Sequence, residues 1–356
     1  MEAAPIFVVG ASRSGTNLLR ALLNAHSEVW ISPETHYFDD LRPRLASGGR
    51  APLRPDERER CESYFLALAH RAYGQDGDPA AARVDRGELR ALAAELGGTG
   101  DAYFEALCLI RARLHTRPRW GEKTPRHVYR ITEMLEAFPG AKVVCLVRDP
   151  RAVIASYRDW HTAGAKEGEW NDDDALAADR ERTRRSYNIV LMSYLWRGVV
   201  QASYEALRLH GADRVHVQRF ERIAADPEGE TRTLCTWLGL EYEPAMLAIP
   251  VVNSSYASSG EASGVSTEPV ERWRTTLSPN ETSVIQHCCG AMMDELGYAR
   301  EPVHASYAGV AWAWATVPFA VVRAAALNRH RLGRMSHAVR RRAGAALRRG
   351  PLLPGR

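Results

Sequence analysis

Several features that would place a protein in a ready class are missing from this sequence. Its six cysteines (Cys61, Cys108, Cys145, Cys235, Cys288 and Cys289) include no CxxC pair. That argues against a redox dithiol or a zinc knuckle and leaves small apolar residues buried in a reducing compartment. The histidines show no metal-ligand spacing such as HExxH, so no metal site is expected. No secretory leader is visible: the first apolar run, residues 5–9, leads straight into a glycine loop and reads as a strand. Without a leader, the sequons at Asn253 and Asn280 carry little weight. No run reaches the roughly 18–20 apolar residues that a membrane span needs. The longest candidate, residues 308–322, contains Pro318. These absences predict a cytoplasmic protein. No internal repeat is found.

What is present is an average soluble composition, 45% hydrophobic and 25% charged over 356 residues. That length suits one large α/β domain or two ordinary ones. The net charge of +4 hides an asymmetry. Residues 301–356 hold ten arginines, no lysine and one acid, Glu301, and carry +9, so the first 300 residues carry −5. Basicity is a property of the tail.

Short apolar runs bounded by glycine or proline alternate with helical patterns. Residues 6–10 and 141–147 read as buried strands, and residues 214–220 alternate in strand fashion. Helices are expected over 16–25, 150–160, 186–209, from Asp226-Pro227 to Gly239, and over 279–296. Residues 42–115 are rich in Ala, Arg, Leu and Glu, with helical stretches near 55–72, 87–96 and 101–115. They read as a helical insertion, either an acceptor-side lid or a plain surface subdomain. Residues 161–180 and 253–268 read as loops. Strands separated by helices predict an α/β fold with a parallel sheet and helices on both faces. In such sheets ligands bind beyond the carboxyl ends of the strands.

Two loops leave such ends. Between the first strand and helix lies Gly10-Ala-Ser-Arg13-Ser14-Gly15-Thr16-Asn17. Glycines let backbone approach an anion, the helix amino end offers free N–H groups, and Ser14 and Thr16 add hydroxyls. The spacing is P-loop-like, but Thr16 stands at the lysine position of a Walker A loop and Asn17 at the magnesium-holding hydroxyl. The loop is therefore suited to a phosphate and poorly suited to a Mg-triphosphate, with Arg13 as its own cation. The second loop begins Arg148-Asp149-Pro150-Arg151 and continues to Ser156. If Pro150 opens a helix, Arg148 and Ser156 reach one further phosphate. Two anion sites at adjacent strand ends suit a nucleotide phosphorylated at both its 3′ and 5′ positions; taken alone, Arg-Asp-Pro-Arg also fits a surface salt-bridge cluster.

Residues 6–38 (IFVVGASRSGTNLLRALLNAHSEVWISPETHYF) closely resemble the start of the sulfotransferase family, as found in tyrosylprotein and many bacterial members. RWGEKTP at 119–125 and VCLVRDPRAVIASY at 144–157 resemble two further family blocks, and residues 219–244 and 270–281 look like looser ones. The resemblance implies 3′-phosphoadenosine 5′-phosphosulfate (PAPS) as co-substrate. It implies that Arg13, Ser14, Gly15, Thr16 and Asn17 cradle the 5′-phosphosulfate, and that Arg148 and Ser156 bind the 3′-phosphate. Glu34 matches the catalytic base of the tyrosylprotein branch and Lys123 its cation near the leaving group. His36, where that branch has arginine, is a second candidate base and argues against peptide-tyrosine specificity. A late loop would close over the 3′-phosphate, with Ser266, Arg272 and Arg274 as candidates.

The expected chemistry is in-line sulfuryl transfer to an acceptor hydroxyl, needing a base within roughly 2.6–3.2 Å and fixed cations, Arg13 and Lys123, on the leaving phosphate. Neighbouring Glu122 is an alternative partner for Lys123. The acceptor, a small-molecule, glycan, lipid or peptide hydroxyl, would sit between the helical insertion and residues 161–180. A P-loop kinase and a non-catalytic nucleotide-binding scaffold are the rival readings. Residues 1–300 would form the catalytic domain and 301–356 a basic amphipathic extension. Apolar residues 308–327, with Trp312, Trp314 and Phe319, precede Arg323, Arg329, Arg331, Arg334 and the 340–342 run. That pattern fits an interfacial helix on anionic lipid, making 308–349 a peripheral membrane contact, or a docking helix with a solvated end. No motif indicates nucleic-acid binding.

Overall fold

The structure is a computed structural model and describes residues 4–69, 84–159, 181–182, 184–250 and 264–327, with Gly344 and Leu352. The expected loop at 161–180 and most of 253–268 lie outside these residues, as do Arg329, Arg331, Arg334 and residues 340–342.

Among the described residues five strands form one sheet: β1 (Ile6–Gly10), β2 (Val29–Ser32), β3 (Arg119–Lys123), β4 (Lys142–Val147) and β5 (Val215–Arg219). Their order is β2-β3-β1-β4-β5 and every pairing is parallel. A parallel sheet must be covered on both faces, because its crossovers place helices there. β1 shows this directly, since all five of its residues are buried. Side chains alternate along a strand, so Phe7 and Val9 enter one core while Ile6 and Val8 enter the other.

The crossovers and flanking elements are helical. In chain order they are α1 (Thr16–Asn24), α2 (Tyr37–Asp40), α3 (Pro55–Ala69), α4 (Arg86–Glu95), α5 (Gly100–Leu114), α6 (Ile131–Ala137) and α7 (Pro150–Asp159). They continue with α8 (Ile189–His210), α9 (Phe220–Ala225), α10 (Pro227–Leu238), α11 (Glu268–Glu271), α12 (Trp273–Thr276) and α13 (Pro279–Glu295). Last come α14 (Tyr307–Ala315) and α15 (Val317–Leu327). Local chemistry sets several ends. The Asp226 side chain accepts from the Gly229 N–H to cap α10, which Gly239 closes in the left-handed conformation. Ser278 and Glu281 form a capping box on α13.

The described part of the stretch read as a helical insertion carries α3, α4 and α5, and α5 lies against the sheet. Phe104 stacks on Phe7 at 6.2 Å and shares a core with Trp120 and Phe138. α1 covers the opposite face through Leu18, Leu19, Leu22 and Leu23, with Phe220 and Leu234 from α9 and α10. All six cysteines are buried free thiols.

Beyond the body, α14 and α15 are separated only by Thr316, and within the 21 residues Tyr307–Leu327 an 18-residue window has a mean hydropathy of 1.5. By length and composition they could cross a membrane. This corrects the expectation that no segment is long enough. Pro318 falls in the first turn of α15, where its missing N–H costs nothing, and helix and apolarity continue past Arg323.

Gly10 ends β1 at φ +142°, where a Cβ would lie 2.3 Å from the Leu146 carbonyl oxygen of β4. Gly10→Ala should lower the unfolding free energy by about 2–4 kcal/mol, combining clash and backbone strain. Denaturant titration of the variant checks this.

Candidate active site

The carboxyl ends of β1, β2, β3 and β4 deliver four loops to one edge of the sheet. The loop after β1 is shaped by its backbone. Gly15 sits at φ +96° and Arg13 at φ +72°, a conformation uncommon for a side-chain-bearing residue. The Ser14 hydroxyl, fully buried, donates to the Ala11 carbonyl at 2.6 Å. Ser14 was expected to offer its hydroxyl to an anion. In this geometry that hydroxyl ties the turn together, and the Ser14 N–H donates to the same Ala11 carbonyl at 3.1 Å. Thr16 is buried and Asn17 partly exposed in the first turn of α1.

The loop after β4 comes directly alongside, as the pairing of Gly10 with Leu146 requires. Arg148 donates to the Arg13 carbonyl at 3.1 Å and to the Pro269 carbonyl. Its guanidinium lies 4.4 Å from the centre of the Phe220 ring, and Trp196 Nε1–H donates to its carbonyl at 2.8 Å. Ser156, one and a half turns into α7, accepts from Arg13 Nε at 3.2 Å. Arg13, Arg148 and Ser156, chosen from two separate motifs, therefore meet. Arg151 does not join them. It is bound bidentately to Asp149, donates to Gln286 and stacks on Trp273. Of the late-loop candidates, Ser266 accepts from the Glu268 N–H, Arg272 pairs with Glu268, and Arg274 pairs with Glu271 and Glu301. This segment meets Arg148 through the Pro269 carbonyl.

The other two loops carry the reactive candidates. Lys123, nearly buried at the end of β3, donates to Glu34 Oε1 at 2.7 Å. The other oxygen of Glu34 lies 3.4 Å from His36 Nε2. Glu122, the alternative partner for Lys123, points to the opposite side of β3 and is fully buried. Sequence reasoning missed Arg126, which pairs with Asp39 and Asp40 beside His36; it stands one residue past the RWGEKTP block. His36 itself is held at φ +55° just before α2. Burial above all, and then the Arg126 cation, holds its pKa well below the ordinary 6.5. Among the described residues no three His, Cys, Asp or Glu side chains are grouped to hold a metal ion.

Fold and loops together define a P-loop-like α/β protein with glycine- and arginine-bearing turns at its strand ends and an acid–cation pair beside them. The family model described as the sulfotransferase family matches residues 5–244, and the chain belongs to that family: it is a sulfotransferase. It is 26% identical over 316 residues to the nodulation protein NoeE of Sinorhizobium fredii strain NBRC 101917 / NGR234, covering 85% of this chain and 68% of that protein. It is 25% identical over 276 residues to protein-tyrosine sulfotransferase 1 of Danio rerio, covering 75% of this chain and 60% of that one. Among solved structures, the sulfotransferase domain from the curacin biosynthetic pathway aligns at 18% identity, covering 84% of this chain and 99% of that one, with a TM-score of 0.46.

A depressed histidine pKa has a definite sign for stability. The unfolded chain binds a proton near pH 6.5 that the folded chain refuses, so stability falls as pH drops below about 6.5. His36→Asn, which tolerates the same backbone conformation, should remove that part of the loss. Denaturant midpoints of both proteins between pH 7.5 and 5.5 check it.

Proposed function

We propose that the protein transfers the sulfuryl group of PAPS to an acceptor hydroxyl, with Glu34 as base. The observation that carries this reading is the 2.7 Å contact of Lys123 Nζ with Glu34 Oε1, at the same sheet edge as the Arg13–Ser156–Arg148 cluster. Backbone amides of Arg13, Gly15, Thr16 and Asn17 would take the 5′-phosphosulfate, and Arg148 and Ser156 the 3′-phosphate. The acceptor oxygen attacks sulfur in line while its proton passes to Glu34. The bond from sulfur to the 5′-phosphate oxygen breaks, and its electron pair stays on adenosine 3′,5′-bisphosphate, where Arg13 and Lys123 meet the new charge. His36, neutral by burial, would orient Glu34 from its other oxygen. Fixed side-chain cations suffice because the transferred group carries a single negative charge.

Lys123→Ala should fold and bind adenosine 3′,5′-bisphosphate as the wild type does, while turnover falls by about 10²–10³-fold. Glu34→Gln should lower turnover by about 10²–10⁴-fold, and His36→Ala by less. Release of radiolabelled sulfur from PAPS, with a pooled panel of sugars, lipids, phenols and peptides as acceptors, measures all three. Undiminished turnover in Glu34→Gln removes it as the base.

We further propose that residues 1–300 are the catalytic domain and that the extension rests on anionic lipid. α14 packs on α13, with Trp314 edge-on to His287 at 5.9 Å and Val310, Ala313 and Val317 against the core. The outward face is apolar too: Trp312, Phe319 and Val322 are 71%, 68% and 67% exposed. A helix apolar all round, half of it uncovered and followed by nine more arginines in the sequence, matches a negatively charged bilayer surface. Full-length protein should co-sediment with phosphatidylserine vesicles and be released by alkaline carbonate. Equal partitioning of Trp312→Ser/Phe319→Ser, or retention after carbonate, counts against this surface contact.

A further inference from the structure

Beneath the base loop lies a buried carboxylate to which neither the motif matches nor the proposed reaction gives a role. Glu122 and Lys123 are successive residues of β3, so their side chains leave on opposite sides. Lys123 reaches Glu34. Glu122 turns inward and is 0% exposed. Its Oε1 accepts from the Thr35 N–H at 2.9 Å, from the Thr35 hydroxyl at 2.8 Å and from the Thr124 hydroxyl. With its proton on Glu122, the Thr124 hydroxyl is left as acceptor for the Thr35 and His36 N–H groups at 3.2 and 3.4 Å. The Thr35 hydroxyl in turn accepts from the Tyr37 N–H at 3.3 Å, and the Thr35 carbonyl accepts from Tyr64 at 2.6 Å. Every polar group of Thr35 is thus engaged, and Thr35 is the residue between Glu34 and His36.

A buried carboxylate would normally take up a proton. Burial pushes the Glu122 pKa up, but His127, whose Nδ1 lies 3.4 Å from Oε2, and the bonds from Thr124 and Thr35 outweigh it and hold it below the ordinary value. The charged form therefore persists and keeps its full accepting power. Hydrogen bonds to an ionised acceptor are about twice as strong as neutral ones.

We propose that Glu122 is the positioning residue of the base: it clamps Thr35 from the core side so that Glu34 stands within hydrogen-bond reach of Lys123. It touches no reacting atom and acts only through the loop. The inference rests on Glu34 being the base, so its test must separate the two claims.

The test uses full-length protein with Glu122→Gln, Glu34→Gln and the double variant. A glutamine keeps the shape but lacks the charge and places an NH2 group where two donors already converge. Turnover is read as labelled sulfur released from PAPS with the pooled acceptor panel. Glu122→Gln should lower kcat by about 10–100-fold, the usual consequence of misplacing a reacting group by about 1 Å. The KM for PAPS and the Kd for adenosine 3′,5′-bisphosphate should not change. In the Glu34→Gln background the same substitution should change kcat less than about twofold, because residues acting as a unit are non-additive. A crystal structure of Glu122→Gln should show the Glu34–Lys123 contact opened with residues 10–17 and 148–156 in place. An equal loss in both backgrounds, a parallel loss of nucleotide affinity, or an unopened contact refutes the clamp and leaves Glu122 a structural residue. Full activity of Glu34→Gln refutes the base assignment instead; the crystal structure still decides whether Glu122 holds the loop.

Discussion

The site depends on parallel register. β2 pairs with β3 so that Ser32 lies opposite Glu122, and β1 pairs with β4 so that Gly10 lies opposite Leu146. In each pair both chains leave the sheet in the same direction at the same level. Neighbouring strands are about 4.8 Å apart, so two loops that leave together are within side-chain reach without further arrangement. Glu34 then meets Lys123, and Arg13 meets Ser156. A slip of β3 by one residue against β2 would turn its side chains to the other face of the sheet, exchanging Lys123 for Glu122 at the site.

Much of this architecture is legible in the sequence, and the exceptions have a physical pattern. β1 and β4 announce themselves as apolar runs, because a central parallel strand is buried on both faces. β3 lies between β2 and β1 and does not. Its sequence RWGEK is three-fifths charged, yet all five residues are buried. The charges are satisfied by tertiary partners no local pattern reveals: Arg119 donates to the Ala4 and Leu238 carbonyls, Glu122 accepts from Thr35 and Thr124, and Lys123 finds Glu34. β2, four residues long, is too short to carry a period. For the candidate site, the residue types at the loops after β1 and β4 follow from spacing and the chemistry of glycine and arginine. Their convergence follows from strand order, which the sequence leaves open.

The arginines illustrate how burial sorts equivalent residues. Arg148 and Arg151 flank the same Asp-Pro pair. Arg151 is taken up by Asp149, Gln286 and the Trp273 ring, which fixes the start of α7 and the approach of α13. Arg148 is aimed the other way, over Phe220, with backbone carbonyls of Arg13 and Pro269 on its donors. One arginine builds the helix mouth while the other faces it. The division is set by which side chain the first turn of α7 directs toward the core.

The Lys123–Glu34 contact also bears on how the proposed reaction would be timed. At rest the two charges neutralise each other, so neither is available at full strength to a substrate. If an acceptor proton passes to Glu34 as proposed, the carboxylate would lose its charge and its hold on Lys123. The ammonium would then be freed as the leaving phosphate gains charge. Proton removal and leaving-group stabilisation would be coupled through one ion pair, each favouring the other. Such an arrangement needs Glu34 held at a fixed distance by something other than Lys123, since a base tethered only by the cation would follow it away. The fully engaged Thr35 backbone would supply that independent anchor, from the far side of the strand that carries the lysine.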